Sequence, residues 1–425
     1  VRFRDSASDA HALRVRRRAH YDRVTTMRLP SPYDRLLAPV YVPSLLMAVS
    51  QEALTILLPL YVLELGATPA FAALIVGLRG IGILLFDVPA GLLVAHFGDK
   101  PVLLGGLGLI LAGLLTLGLS ANPWAIGLAA VALGSGHAAW MLGRQSYLAD
   151  ICAPHELGRA IAAMAGLQRG GALLGPVAGG ALAGLVGYPW AFIAGAASAV
   201  VAAATVLLFA RDVESRELQG DQGLGATLRV LGAHGRVLAT AGTSALVLQL
   251  MRASRQLLVP LFGQAAGLDV SAIGLAYSLG TVVDIAMFYP SGVLADVYGR
   301  KWSAVPSMLL YAAGLALLPL ASGFYSLLAA TVLLGFANGI GTGVVMIIGA
   351  DLARASGRQG PFLGLWRLIG DLGISFAPLL TGVLVDAASL GAASLAVAGI
   401  GLAGSLVMAF LVAETLSDAT RTPKV

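Results

Sequence analysis

Thiols are nearly absent from this chain. Its single cysteine, Cys152, excludes an internal disulfide and any zinc cluster built on thiolates. Charge is also scarce, at 12% of residues, too little to coat a water-soluble globule of 425 residues. Six scattered histidines show no metal-ligand spacing. No glycine-rich nucleotide loop and no nucleophile constellation occurs, which argues against ATP-driven transport by this chain and against an enzyme. Nothing in it calls for a cofactor, a metal or nucleic acid.

What the chain has instead is apolar length. Hydrophobic residues make up 58% of it and the mean hydropathy is +0.85, so lipid is the solvent it fits. Its 54 glycines agree, because small residues let transmembrane helices approach closely. Twelve stretches reach the length of about 20 residues that crosses a bilayer as helix. They lie near 39–64, 69–95, 102–121, 124–150, 159–186, 189–210, 238–264, 271–295, 302–321, 325–352, 359–386 and 391–413. Short turns such as "GATPA", "SANPW" and "VGYPW" separate one set of spans, and longer charged segments separate the alternate set. Every Lys and Arg outside the apolar runs falls in the first tail, in the connections after spans two, four, six, eight and ten, or in the last tail. The positive-inside rule then places both termini in the cytoplasm. The expected setting is the plasma (inner) membrane, crossed many times, with the lipid bilayer as partner.

The expected division is a cytoplasmic arginine-rich tail at 1–37, a six-helix bundle at 38–210, a cytoplasmic central loop at 211–237, a second six-helix bundle at 238–414 and a cytoplasmic tail at 415–425. The first 35 residues carry nine arginines and no apolar core, unlike a cleavable signal peptide. They read as a disordered tail or as a polybasic segment drawn to anionic lipid. Met27, just before "RLPSPYDRLLAP", is an alternative start.

Two strings disclose a duplication. "PAGLLVAHFGDK" at 89–100 and "PSGVLADVYGRK" at 290–301 align Pro89 with Pro290, Gly91 with Gly292, Gly98 with Gly299 and Lys100 with Lys301, each 201 positions apart. Asp150 and Asp351 keep the same separation, as do Gly134 and Gly335. An even number of spans per half gives both copies one orientation, which makes the repeat parallel.

"GVLADVYGRK" at Gly292 to Lys301, between spans eight and nine, resembles the cytoplasmic signature loop of the major facilitator superfamily, in which Gly-x-Leu-Ala-Asp precedes Gly-Arg-Lys. The resemblance implies an all-α integral membrane fold of twelve transmembrane helices in two parallel-related six-helix bundles. It also implies a secondary transporter whose halves rock around a site near the bilayer midplane. "GALLGPVAGG" resembles a signature of the family's antiporter branches through Gly171, Gly175, Pro176, Gly179 and Gly180. The same residues make a small-residue face with a proline bend, which close packing alone explains.

Charges inside the spans carry more information. Arg79, Arg144, Arg169, Arg252, Arg255 and Arg367 fall there, with Glu52, Asp87, Asp284 and Asp371. A centrally placed Arg costs about 2.5–3.5 kcal/mol even on the gentlest insertion scale, so these groups must face the bundle interior, pair with acids or line water. Spans three, six, nine and twelve contain no charge, as a polar cavity with a lipid-facing rim requires. Gln249, Arg252 and Gln256, with Arg255, share one face of span seven, and Arg367 and Asp371 are four apart and can bridge. Candidates for a central substrate cavity are Arg79, His137, Arg144, Gln249, Arg252, Arg255, Gln256 and Asn338. Candidate proton carriers are Glu52, Asp284 and Asp371, a role that needs an acid whose charge responds to an approaching arginine. For Asp284 and Asp371, neutralising an arginine is the equal alternative. Six cations against four acids leave an excess of two positive charges, which keeps an anionic or zwitterionic solute open beside a lipophilic cation.

By resemblance, Asp296 and Arg300 hold the cytoplasmic side closed through a facing helix start, whose dipole favours a carboxylate. Their first-half counterparts include Ala95 and Asp99, a weakened latch. The candidate gate is Gly91, Asp99, Asp150, Arg159, Gly292, Asp296, Gly299, Arg300, Lys301, Asp351, Arg358 and Arg367, with Asp150 facing Arg159 and Asp351 facing Arg358. The expected function is secondary active transport of a small organic solute by alternating access, as proton-coupled efflux of a drug-like compound or metabolite. The proton gradient is the expected energy source and the chain is expected to act as a monomer. Uptake or facilitated diffusion of an organic anion or neutral metabolite is the alternative, and a non-transporting membrane receptor the third reading.

Overall fold

The computed structural model describes residues 33–211, 224–357 and 359–416. The arginine-rich tail with Met27, residues 212–223 of the central connection, Arg358 and the last nine residues lie outside them.

The helices are α1 (Val42–Glu64), α2 (Pro69–Phe97), α3 (Asp99–Leu119), α4 (Pro123–Ile151), α5 (Pro154–Val186), α6 (Tyr188–Phe209), α7 (Thr243–Ala265), α8 (Val270–Val297), α9 (Arg300–Leu317), α10 in two pieces (Phe324–Gly341 and Val344–Ser356), α11 (Gln359–Ala387) and α12 (Leu390–Phe410). Starts follow local chemistry. Thr68 Oγ1 accepts from the Phe71 N–H with Pro69 in the first turn, and Asn122, Asp269 and Ser389 cap α4, α8 and α12 in the same way. A further amphipathic helix, Leu224–Val237, leads into α7 and packs on α11.

Eleven of these helices, among the described residues, are long and apolar enough to cross a membrane. The twelfth predicted span, α7, falls short because Gln249, Arg252, Arg255 and Gln256 dilute its apolar residues. It is long enough, at 23 residues, and is buried along most of its length in the bundle interior. A second departure from the expected spans is in α10. Gly343 adopts φ +84, and the helix stops at Gly341 and restarts at Val344. A left-handed residue ends a helix because its carbonyl and N–H no longer point along the axis, and glycine takes that conformation without a side-chain clash.

The duplication holds in register. Val42–Glu64 and Thr243–Ala265 begin and end 201 positions apart, and the π-helical turns before them, Leu37–Tyr41 and Leu238–Gly242, do the same. Packing repeats with it. A Cβ on Gly134 would strike the Arg79 carbonyl, and one on Gly335 would strike the Gly280 carbonyl. Likewise Gly113 packs on Leu133 and Gly314 on Leu334. Each pair maps onto the other by the same offset.

Contact between the halves runs through α2 against α11 and α5 against α8, with α1 and α7 between them. It is tight only at one end. Gly77 and Gly80 press on Leu379 and Ser375, and Gly180 and Gly184 on Val270 and Ser271, near the turns after α1, α5 and α7. Gly158, Gly166 and Gly170 of α5, Gly292 of α8 and Gly360 and Gly364 of α11 lie at the other end of the same helices. There an added Cβ meets no described atom within 4 Å. The bundle is therefore closed at the end of the short turns and open at the end where the described residues begin, at 33, and end, at 416.

Candidate functional site

Between the halves, α1, α2, α4, α7 and α11 enclose a cavity of about 340 Å³. Glu52, Arg79, His137 and Gln256 contribute polar wall, and Asp87, Arg367 and Asp371 line it as well. Val76, Ile83, Ile374 and Pro378 supply apolar wall. A smaller space of about 30 Å³ shares Gln51, Glu52, His137 and Met141 with it and adds Trp140, Arg144 and Gln168.

The first-half charges are held by α1, α2 and α4. Arg79 donates through Nη2 to Gln51 Oε1 at 2.7 Å. Glu52 has no arginine on its own helix, yet Arg79 of α2 and Arg255 of α7 are the cations acting on it, and Asp284 is the neighbouring acid. Arg144 is only 2% exposed and lies over the Trp140 ring at 5.7 Å. Its hydrogen-bond acceptor among the described residues is a thioether, Met141 Sδ, 2.9 Å from Nη2. Arg79 Nε, Arg144 Nε, Gln51 Nε2 and His137 Nδ1 are buried with no partner among the described residues. Gln51 was not among the sequence candidates; its polar side chain inside an apolar span was the available signal.

The second-half charges are held by α7, α8, α9 and α10. Arg252 donates to Gln249 Oε1 at 2.8 Å and to the Gly341 carbonyl at 3.0 Å, a carbonyl freed by the break in α10. Arg255 lies over the Tyr277 ring at 4.8 Å, its Nε and Nη2 have no hydrogen-bond partner among the described residues, and it shares Tyr311 and Asp284 as neighbours with Arg252. Asp284 accepts from Asn338 Nδ2 at 2.7 Å and from Thr342 Oγ1 at 3.4 Å. Tyr277, Tyr311 and Thr342 were missed because a hydroxyl in an apolar span reads as tolerable packing until its neighbour is known.

Two arginines cross between the halves toward the open end. Arg367 reaches Asp87 at 3.9 Å and Asp371 at 3.5 Å, and Arg169 lies 3.8 Å from the centre of the Phe288 ring. Asp87 and Phe288 are equivalent positions of the repeat, so one crossing is ionic and its counterpart is a cation–π contact.

At the loop between α8 and α9, Arg300 bonds Asp296 at 2.8 Å and Asp351 at 3.3 Å. Asp351 also accepts from Arg354 at 2.9 Å and from Thr415 at 3.1 Å. Asp296 does not act on a facing helix start here: its side chain is 69% exposed and its partner is in its own half, as the open end requires. The carboxylate at the start of α9 is Glu414, which accepts from the backbone N–H groups of Arg300 at 2.9 Å and Lys301 at 3.1 Å. Burial alone would raise the Glu414 carboxyl, but backbone donors from Leu416, Lys301, Arg300 and Thr415 bring it below its ordinary value. The equivalent loop in the first half places a buried Asp99 beside Ser146 and Asp150, acid near acid where the second half has Arg300.

The family model for the Major Facilitator Superfamily matches residues 41–251 and 241–424. The chain belongs to the major facilitator superfamily. It is a multi-pass membrane protein and a secondary transporter of small molecules that works by alternating access, not an enzyme. The chain is 28% identical over 352 residues to multidrug resistance protein MdtH of Aeromonas hydrophila subsp. hydrophila, covering 78% of this chain and 82% of that protein. Its fold matches the crystal structure of the nucleoside transporter NupG with a TM-score of 0.70 at 13% identity, over 88% of this chain and 98% of that one. A POT family transporter in complex with a thioalcohol-conjugated peptide matches with a TM-score of 0.72 at 11% identity, over 88% and 95%.

Proposed function

We propose that this transporter mediates uptake or facilitated diffusion of a small organic anion or neutral metabolite across the inner membrane. The observation that supports this reading is the unmatched positive charge beside the central cavity. Arg79 and Arg255 act on Glu52, Arg252 and Arg255 on Asp284, and Arg144 meets only a thioether, so four guanidinium groups stand against two carboxylates. A lipophilic cation would have to enter against that field, which a low-dielectric interior magnifies. An anion would complete it. Asp87 and Asp371, which also line the cavity, are engaged by Arg367 in the crossing between the halves.

Positive-inside asymmetry assigns the end of the longer, charged connections to the cytoplasm, so the arrangement with that end open is inward-facing. Rocking would part α5 from α8 and α2 from α11 at the short-turn end while Arg300, Asp351 and their partners hold the cytoplasmic loops. A second reading, proton-coupled export of a drug-like compound, is favoured by the likeness to the multidrug resistance protein and by the glycine–proline face of α5. The two readings separate in proteoliposomes. Counterflow of organic anions that proceeds at the same rate with and without an imposed pH gradient supports the first. Obligatory proton release in exchange for cationic drugs would replace it with the second.

A further inference from the structure

We propose that the small space beside Arg144 is the seat of an oxyanion: the transported molecule carries a carboxylate or phosphate that docks on Arg144, Gln51 and His137, with an apolar body lying in the larger cavity. This rests on the transporter reading above and narrows its substrate to amphipathic organic anions.

Four observations converge there. First, a buried charge is ordinarily matched by an oxygen acceptor. Arg144, 2% exposed, has a methionine sulfur instead, and its Nε has no partner among the described residues. Second, the same space is lined by two further unpartnered polar atoms. Gln51 Oε1 is occupied by Arg79, which turns Nε2 away as a free donor, and His137 Nδ1 is also unmatched. Third, the acid in that wall, Glu52, has Arg79 acting on it, so the Arg144 charge is left over. Fourth, Met141 is a flexible side chain whose sulfur receives both Arg144 Nη2 at 2.9 Å and Gln168 Nε2 at 3.6 Å, and a thioether is a weak acceptor that an oxyanion readily displaces. The Trp140 ring under the guanidinium fixes its plane, as bidentate recognition requires. The remaining wall, including Val76, Ile83 and Ile374, suits a hydrocarbon body.

The test is calorimetric titration of the full-length protein in lipid nanodiscs with three probes of one shape: 4-phenylbutyrate, 4-phenylbutyramide and 3-phenylpropyl phosphate. Wild type is expected to bind at least one of the two anions about tenfold or more tighter than the amide, the scale of a charge-assisted hydrogen bond. The carboxylate and phosphate arms tell which oxyanion is preferred. Arg144→Gln is expected to bring anion and amide to equal affinity without weakening the amide, whose retained binding reports a folded protein. Arg144→Lys is expected to keep part of the preference. No saturable anion binding, equal affinities in wild type, or a preference that survives Arg144→Gln would overturn the proposal. Counterflow of the same compounds separates the two claims. Flux without preference for the anions rejects the oxyanion seat and leaves the transporter reading standing. Preferential binding of an anion without any flux keeps the seat and rejects transport of this class.

Discussion

Gly180→Ala is expected to prise open the short-turn end of the bundle. Gly180 sits on α5 where that helix meets α8 of the other half. A methyl group there would lie 2.7 Å from the Val270 carbonyl oxygen and 3.4 Å from Gly274 Cα. Both are backbone atoms of a helix, so neither can rotate away. Restoring ordinary contact requires the helices to part by roughly half an ångström or more. Overpacking of this kind costs about 1–3 kcal/mol. The cost applies only while the short-turn end is closed, because the alternate state separates α5 from α8 there. The equilibrium should therefore move toward that state by about 5- to 150-fold. Cys152 is the only native cysteine, so a Cys152→Ser background accepts a label pair without interference. Spin labels at Leu185 and Gln264, near the ends of α5 and α7, report the distance across the closure by pulsed electron resonance. Gly108→Ala is the matched control, since a Cβ on that glycine of α3 meets no described atom within 4 Å. A long-distance population in the Gly180→Ala protein and none in the control is the expected result. Identical distance distributions in both would refute the claim that this glycine closes the bundle.

Two further perturbations address coupling and the terminal latch. Glu52→Gln removes the acid that faces Arg79 and Arg255 across the two halves. If protons are carried, the variant should retain counterflow and lose uphill transport driven by a pH gradient; unchanged proton-driven flux would remove Glu52 from the mechanism. Glu414→Ala strips the start of α9 of its carboxylate, and should cost about 1–2 kcal/mol, read as a lowered unfolding temperature in detergent. The sign of its pH dependence follows from a folded-state value below the ordinary 4.5. That stabilisation is fully present above the unfolded value and is lost as pH falls through the folded one. The gap between wild type and Glu414→Ala should therefore be constant from about pH 6 to pH 8 and close below about pH 4. A gap of the same size in acid would show that the charge is not what caps the helix.

Much of the fold was legible because membrane packing leaves few choices. Helices that cross lipid must be apolar, and where two of them touch closely only a small residue fits, so Gly134 and Gly335 mark the same crossing twice. Legibility failed where one residue type serves two purposes. Gly335, Gly339 and Gly343 share the spacing of a close-packing face, and the first two do pack on Gly280 and Asp284 of α8. Gly343 instead ends the helix at φ +84, and a Cβ added there would meet no described atom within 4 Å. Spacing alone cannot distinguish a glycine needed for its missing Cβ from one needed for its backbone. Glu414 was hidden for another reason. Its partners are main-chain N–H groups, two of them more than a hundred residues away, and main chain has no signature in a sequence.

The site was harder to read than the fold because it is the part of the repeat that is not repeated. Shifting six of the ten charges within the spans by 201 positions pairs Glu52 with Ala253, Arg79 with Gly280, Asp284 with Ile83, Arg144 with Val345, Arg252 with Gln51 and Arg255 with Leu54. None of these six charged residues has a charged counterpart, although the helices around them begin and end in register. A duplicated bundle needs equivalent glycines in both halves, because both must pack. A cavity between the halves is bounded by both copies at once, so each supplies what the other lacks: Glu52 from one half stands in the field of Arg255 from the other. Periodicity can therefore reveal the scaffold of such a protein but not its ligand. Unmatched donors such as those on Arg144 and Gln51 emerge only when helices distant in sequence are packed together.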